Sequence, residues 1–145
     1  MEIFDLFATP IFKYRIEDHD KINSKLTKYI YELRDKDPSG NNHSNVGGWH
    51  SQNFDIINPG PPQEFIFKFK DFLKSVVTDK LGWKHVEGKG RIVAMWAIIN
   101  KKNSYNIKHN HPNCFLSAAY YVKAPKNSGS IQFYEPNEVK VMRYP

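Results

Sequence analysis

The sequence is short of cysteine and of long apolar runs. Cys114 is the only cysteine among 145 residues, which excludes an internal disulfide and a multi-cysteine zinc or iron-sulfur cage within one chain. This cysteine usage fits a reducing cytoplasm. No segment approaches 18 consecutive apolar residues, and the N-terminus has no basic stretch followed by a long apolar run. We therefore expect neither secretion nor a membrane-spanning helix.

The chain also lacks internal repeats and low-complexity tracts. With 40% hydrophobic residues it is long enough to bury one core, and at 145 residues it is too short for two ordinary domains. The net charge is +6, but lysines are spread along the chain and cluster only briefly, as at Lys101 and Lys102. The charge therefore indicates solubility, and we do not expect a dedicated nucleic-acid face.

Two helical patterns flank a long loop in the first half of the chain. Apolar residues recur at three- and four-residue steps over residues 20–33, the period of one helical face. A second stripe of this kind covers residues 62–81, and Gly82 predicts its end. Residues 35–62 are rich in Asp, Asn, Ser, Gly and Pro, which predicts a surface loop.

The second half of the chain favours strands. One further extended segment is suggested at the N-terminus, where residues 3–16, interrupted by Pro10, favour an edge strand or an extended lead-in. Beyond the glycines near residue 90, β-branched and aromatic residues predict a strand over 92–99. Further strands are predicted over residues 115–122, 130–134 and 139–143. Helices followed by consecutive short strands favour an antiparallel sheet with helices packed on one side.

His109 and His111 form the strongest local chemical signal. On an extended backbone, residues two apart point to the same side, so both imidazoles can reach one metal ion. Neutral imidazole suits iron, zinc, copper or nickel. The alternative is that two histidines share a polar loop by chance. A catalytic metal normally needs a third protein ligand, which the spacing does not identify.

Several ordered segments of the chain resemble one known family. Residues 6–12 read LFATPIF, residues 48–51 read GWHS, and residues 105–136 read YNIKHNHPNCFLSAAYYVKAPKNSGSIQFYEP. They are similar to a family of 2-oxoglutarate and iron(II) dependent dioxygenases, often found in phage and marine bacteria. That family has a His-x-His-Pro stretch, a Ser-x-x-Tyr-Tyr strand, and a Ser-Gly turn followed by an acidic or polar residue before proline.

The resemblance implies a single α+β domain over residues 1–145, mostly β with N-terminal helices. Helices from residues 1–90 would brace a double-stranded β-helix, a cupin-like jelly roll, to which residues 91–145 contribute. Iron(II) and 2-oxoglutarate are the implied cofactors. The implied reaction couples oxidative decarboxylation of 2-oxoglutarate to hydroxylation of a substrate that the sequence does not name.

The resemblance also assigns ligands. In the wider superfamily the metal is held by His-x-Asp or His-x-Glu and a distant histidine. His109 matches the first ligand, and His111 takes the place of the carboxylate, which would leave more positive charge at the metal and could admit other metals. Tyr121 matches a tyrosine whose hydroxyl binds the distal carboxylate of 2-oxoglutarate. Adjacent strand residues face opposite ways, so only one of Tyr120 and Tyr121 can point into the barrel; the alternative is two core tyrosines.

The remaining parts of the implied site have no counterpart in the sequence. No histidine follows His111, and the family's last metal histidine and the basic residue beyond it are missing, so we expect a truncated β-roll. Alternative third ligands are Glu135, His50 and His85, or a second chain could complete the barrel as a homo-oligomer. The rival interpretation is a non-catalytic, cupin-like binding module or an inactive fragment.

Two further residues near these motifs have simple interpretations. Trp49 lies in the long loop, where it would either cover the mouth of the pocket as a lid or anchor the loop to the core. Cys114 follows the histidine pair with no neighbouring base, so we expect a small buried side chain rather than a nucleophile.

Overall fold

Two helices and two small antiparallel sheets make up the fold of this protein. The computed structural model describes residues 1–2, 8–83 and 91–134. Its elements are α1 (His19–Lys36), β1 (Asn45–Val46), β2 (Trp49–His50), α2 (Pro61–Ser75), β3 (Ile98–Ile99) and β4 (Tyr105–Asn106). A π-helical turn, Val76–Lys80, continues α2. Within the described ranges, none of the helices is long and apolar enough to cross a membrane.

The core lies between α1 and α2. Helix α1 buries Ile22 and Leu26, which are one turn apart and each 1% exposed. Phe65 of α2 and Ile16 of the preceding segment complete the buried cluster. Partly buried side chains from the second half of the chain pack against this cluster, and they include Met95, Tyr120 and Val122. The helix predicted over residues 20–33 is therefore confirmed, and so is its buried face.

Local sequence signals set both ends of α2. Pro61 and Pro62 occupy the first helical positions, where the missing N–H of proline costs no intrahelical hydrogen bond. After the π-helical turn, Gly82 adopts a φ of +64°, a left-handed conformation that favours glycine. The helix predicted over residues 62–81 is confirmed, with its last turn π-helical rather than α-helical.

The two sheets tie the loop between the helices to the second half of the chain. Strand β1 pairs with β4, and β2 pairs with β3, both antiparallel. Beyond β2, the backbone N–H of Ser51 donates to the carbonyl of Ala97 at 2.9 Å, and that of Phe54 donates to the carbonyl of Met95 at 2.7 Å. The predicted loop therefore contains two short strands and runs antiparallel to residues 95–106.

The strand predictions need correction. Over residues 92–99 only β3 forms, because the Ser51 hydroxyl accepts the N–H of Ala97 at 2.9 Å in place of a strand carbonyl, which interrupts the ladder. Residues 115–122 and 130–134 form no strand, since no described backbone pairs with them in a ladder. Residues 139–143 lie outside the described residues, and the described part of 3–16 forms no strand either.

The predicted fold class is confirmed in its coarser part only. Helices occur together with strands that pair antiparallel. The predicted order, helices first and strands after them, holds only for β3 and β4, because β1 and β2 precede α2. The prediction of a mostly β chain is wrong for the described residues, where α1 and α2 have 18 and 15 residues and each strand has two. A single domain over residues 1–145 stays a prediction.

Candidate metal centre

Just before β3, the neighbouring side chains of Met95 and Trp96 lie on opposite faces of the backbone and have different surroundings. Met95 packs against the helical core, and successive side chains of extended backbone alternate. The neighbouring Trp96 accordingly contacts a different group of residues, the rings of His50 and His111. The helices thus cover one face of this segment, and the aromatic and imidazole rings gather on the other.

His109 and His111 lie side by side, with ring centroids 5.1 Å apart and ring planes inclined by 34°. Two imidazoles bound to one ion through nitrogens at roughly 2.0–2.1 Å would have ring centres about 4.5–5.3 Å apart. Nδ1 of His109 lies 2.7 Å from the carbonyl oxygen of Ile107. Because a carbonyl can only accept, Nδ1 carries the proton and Nε2 keeps the lone pair that a metal needs. The ring separation and the His109 tautomer are therefore compatible with two ligands of one divalent ion.

A chain of five rings extends from this pair into the loop between the helices. The rings of His111 and Trp96 stack at 5.5 Å with an angle of 18°. Trp96 also stacks on His50, with ring centroids 5.7 Å apart and an interplanar angle of 15°. His50 in turn contacts His43 edge to face, with ring centroids 4.9 Å apart. Sequence reasoning missed Trp96, although the alternation after Met95 was a signal that it faces away from the core.

Within residues 8–83 and 91–134, no three His, Cys, Asp or Glu side chains come together as a metal site. His50, one of the three residues considered as a third ligand, contacts the site through Trp96 rather than joining the pair. Its Nδ1 lies 2.7 Å from the carbonyl oxygen of Ser51. The other two, His85 and Glu135, lie outside the described residues, so each stays a prediction.

Tyr120 and Tyr121 face different surroundings, although residues 115–122 form no strand. The Tyr120 hydroxyl donates to Oδ1 of Asn23 on α1 at 2.7 Å, and its ring lies 4.7 Å from that of Phe65. Burial raises the pKa of Tyr120 above its ordinary value. Tyr121 is 59% exposed. The structure thus makes Tyr120 the core residue of the two, and the binding of 2-oxoglutarate by Tyr121 stays a prediction.

The structure also decides between the simpler interpretations of Trp49 and Cys114. Trp49 is buried, and its indole Nε1 donates to the carbonyl oxygen of Asp37 at 2.8 Å. It therefore anchors the loop to the end of α1 rather than standing over a pocket. The prediction of a buried Cys114 is wrong, because the thiol lies in an exposed segment.

Positive charge is concentrated in the part of the chain that carries the histidine pair. Residues 91–134 contain no Asp or Glu, whereas residues 8–83 contain ten acidic and eleven basic residues. The cationic residues of 91–134 are all exposed, and they are Arg91, Lys101, Lys102, Lys108, Lys123 and Lys126. The Lys108 ammonium, next to His109 in sequence, lies 4.7 Å from the ring centroid of Tyr134. The described residues of this part of the chain thus have a net charge that the whole-chain balance does not reveal.

His50 should make stability depend on pH. Its burial lowers the pKa below the ordinary 6.5, and the nearby His43 lowers it further, against the opposite effect of the Ser51 carbonyl. The unfolded chain therefore takes up a proton at His50 before the folded protein does. The stability that neutral His50 contributes is complete above about pH 6.5 and is lost as the pH falls below it. We expect the urea midpoint to fall more steeply between about pH 6.5 and 5 in the wild type than in His50→Gln. Equal slopes in the two proteins would contradict this assignment.

Comparison with known proteins gives one match. A family described as "Putative 2OG-Fe(II) oxygenase" has a model that matches residues 94–145. Neither a search of curated proteins nor a search of solved structures found a match. The matched segment includes Trp96, His109, His111 and Tyr121. The part of the chain that carries the candidate metal centre is therefore similar to an oxygenase family.

Proposed function

We propose that this chain is an oxygenase that uses iron(II) and 2-oxoglutarate, with His109 and His111 as two of the metal ligands. The observation that carries the proposal is the geometry of this histidine pair. The two ring centroids are 5.1 Å apart, and the Ile107 carbonyl holds His109 in the tautomer that leaves the Nε2 lone pair free. The match of an oxygenase family model to residues 94–145 supports it independently.

Each imidazole has its own task in this proposal. The carbonyl of Ile107 orients the His109 ring and fixes its tautomer, as hydrogen-bonded partners of metal-bound histidines commonly do. His111 stands where the wider superfamily has a carboxylate, so the ion would keep its full positive charge. Such a site binds less selectively than one with an anionic ligand, and nickel, zinc or copper would compete with iron.

The positive field of residues 91–134 suits the dianionic co-substrate. When bound, iron(II) and 2-oxoglutarate would supply, with molecular oxygen as the oxidant, oxidative decarboxylation to succinate and carbon dioxide coupled to hydroxylation of a substrate; one oxygen atom would enter succinate and the other the substrate. The six exposed cations would raise the local concentration of the dicarboxylate. The Tyr121 hydroxyl, which is not engaged by the helical core, would donate to the distal carboxylate.

The two-faced packing of the second half supports a jelly-roll interpretation. Met95, Tyr120 and Val122 pack against the core cluster formed with α1 and α2. Trp96 and His111 contact each other instead. A double-stranded β-helix braced by helices has the same arrangement, with the support on one face and the metal ligands on the other. Residues 1–90 would then be the support, and residues 91–145 the β-roll portion.

Replacing His109 with alanine tests the proposal directly. Co(II) serves here as the probe in place of iron(II). Losing one of two protein nitrogen ligands should weaken Co(II) binding by the full 145-residue chain at least about tenfold. Isothermal titration calorimetry in the absence of oxygen measures this affinity. The matched control is His19→Ala, which removes an imidazole at the start of α1 with no part in the pair. Its affinity for Co(II) should equal that of the wild type.

A second measurement separates an oxygenase from a non-catalytic binding module. With iron(II), oxygen and 2-oxoglutarate, an oxygenase should release succinate, and His109→Ala should abolish the release. Metal binding that depends on His109 without any succinate would favour the cupin-like module. Co(II) binding unchanged in His109→Ala would remove the basis of the proposal.

A further inference from the structure

We propose that Trp96 is a positioning residue that holds the His111 imidazole in place and connects it to the loop between α1 and α2. This inference rests on the proposed role of His109 and His111 as metal ligands. The juxtaposition that carries it is the stacking of the Trp96 indole on His111 at 5.5 Å and on His50 at 5.7 Å.

Within the described residues, the His111 ring makes aromatic contacts and no hydrogen bond. Strand β4 ends at Asn106, and the described backbone around His111 belongs to no strand or helix. The Nδ1 of His109 is held by the Ile107 carbonyl, whereas the aromatic rings that contact His111 are those of Trp96 and His109. The nearly parallel stack, at 18°, restricts how far the imidazole can tilt away from the ion.

The backbone around Trp96 is held on both sides. The carbonyl of Ala97 accepts the N–H of Ser51 at 2.9 Å, and the N–H of Ala97 donates to the Ser51 hydroxyl at 2.9 Å. The carbonyl of Met95 accepts the N–H of Phe54 at 2.7 Å. Because Met95 is also packed into the helical core, the indole of Trp96 has a defined direction.

His50 supports the indole from the loop. It is 6% exposed, and its Nδ1 is held by the Ser51 carbonyl at 2.7 Å. Its backbone pairs with Ile98 across β2 and β3. The loop that sequence reasoning assigned to the surface thus reaches the metal pair through one side chain, and any change in the loop that shifts His50 also shifts Trp96.

Two substitutions separate a positioning role from simple filling of space. Trp96→Leu keeps an apolar side chain and removes the flat ring, whereas Trp96→Phe is smaller but keeps a flat ring that can stack. If the ring orients His111, Trp96→Leu should weaken Co(II) binding about tenfold, the lower end of the effect of losing an outer-shell partner of a metal ligand. Trp96→Phe should recover most of the affinity, within about threefold of the wild type.

Tryptophan fluorescence gives a readout that does not depend on activity. Bound Co(II) quenches a nearby indole strongly and a distant one weakly, and the chain has three tryptophans, Trp49, Trp83 and Trp96. Trp83 contacts Phe115 rather than the histidine pair, so Trp83→Phe is the matched control. We expect quenching on Co(II) binding in the wild type and in Trp83→Phe, and its loss in Trp96→Phe, which still binds the metal by calorimetry.

The outcomes distinguish this inference from the proposed function. If Co(II) binding depends on His109 and Trp96→Leu binds as tightly as the wild type, Trp96 does not position His111, while the metal pair stands. If Trp96→Phe loses as much affinity as Trp96→Leu, the flat ring is not the cause, and the inference is overturned. If binding does not depend on His109, both the proposed function and this inference fail.

Discussion

Replacing Gly40 with alanine is expected to lower the free energy of unfolding by about 2–5 kcal/mol. Gly40 has a φ of +59°, a left-handed conformation that costs an L-residue roughly 1–2 kcal/mol. An added Cβ would also collide with the carbonyl oxygen of His50 and lie 2.7 Å from Nε1 of Trp49. Overpacking of this kind typically costs about 1–3 kcal/mol, because the anchored indole and the β2 backbone would have to move.

Gly82→Ala is the matched control for this substitution. Gly82 has a similar φ of +64°, but among the described residues an added Cβ would meet no atom within 4 Å. Only the conformational cost of roughly 1–2 kcal/mol should appear there. Urea unfolding followed by circular dichroism measures both losses. Equal losses for the two substitutions would show that the Trp49 and His50 contacts at Gly40 do not constrain the loop.

Replacing Leu26 with alanine should cost about 2–5 kcal/mol of unfolding free energy, the range for truncating a buried leucine. Leu26 is 1% exposed and belongs to the cluster with Ile22, Ile16 and Phe65. Its loss removes apolar contacts and leaves a cavity between α1 and α2 that close packing does not readily fill. The thermal unfolding midpoint and the urea midpoint should both fall.

Leu116→Ala is the control for that prediction, because it deletes the same atoms from a side chain that is 38% exposed. It should cost about 1 kcal/mol or less, since surface substitutions rarely change stability by more. A loss at Leu116 as large as that at Leu26 would contradict the location of the core. It would mean that residues 115–122 are packed more tightly than their exposure indicates.

The helices were predictable because their signals are local. The apolar period of α1 lies within the helix itself, and the prolines and the glycine that bound α2 act on their own backbone. A helix satisfies its backbone hydrogen bonds within one segment. A pattern in a single stretch of sequence therefore predicts the element, and only the π-helical turn at Val76–Lys80 departed from it.

The strands were predicted poorly because a strand needs a partner. Residues 92–99 have strand composition, yet the hydroxyl of Ser51 occupies one ladder position and leaves β3 with two residues. Ser51 lies 46 residues away from Ala97 in sequence, so no local pattern could reveal the interruption. The same holds for residues 115–122, whose composition suits a sheet but which pair with no described strand.

Part of the candidate site could be predicted from local sequence, and part depends on contacts between distant segments. The His-x-His spacing is local, and the structure brings the two rings within 5.1 Å of each other. The approach of His50 and Trp96 depends on the pairing of β2 with β3, which no spacing predicts. The concentration of positive charge was present in the sequence, but it became informative only when residues 91–134 were considered as the part that carries the pair.

The sequence by itself determined the two helices, the buried face of α1 and the closeness of His109 to His111, because each follows from residues a few positions apart. Only the tertiary structure decided that Tyr120 packs on the helices while Tyr121 is exposed, that Trp49 anchors the loop, and that Trp96 links His50 to His111. Those contacts join segments that are far apart along the chain, and they form only when the core and the two sheets bring the segments together.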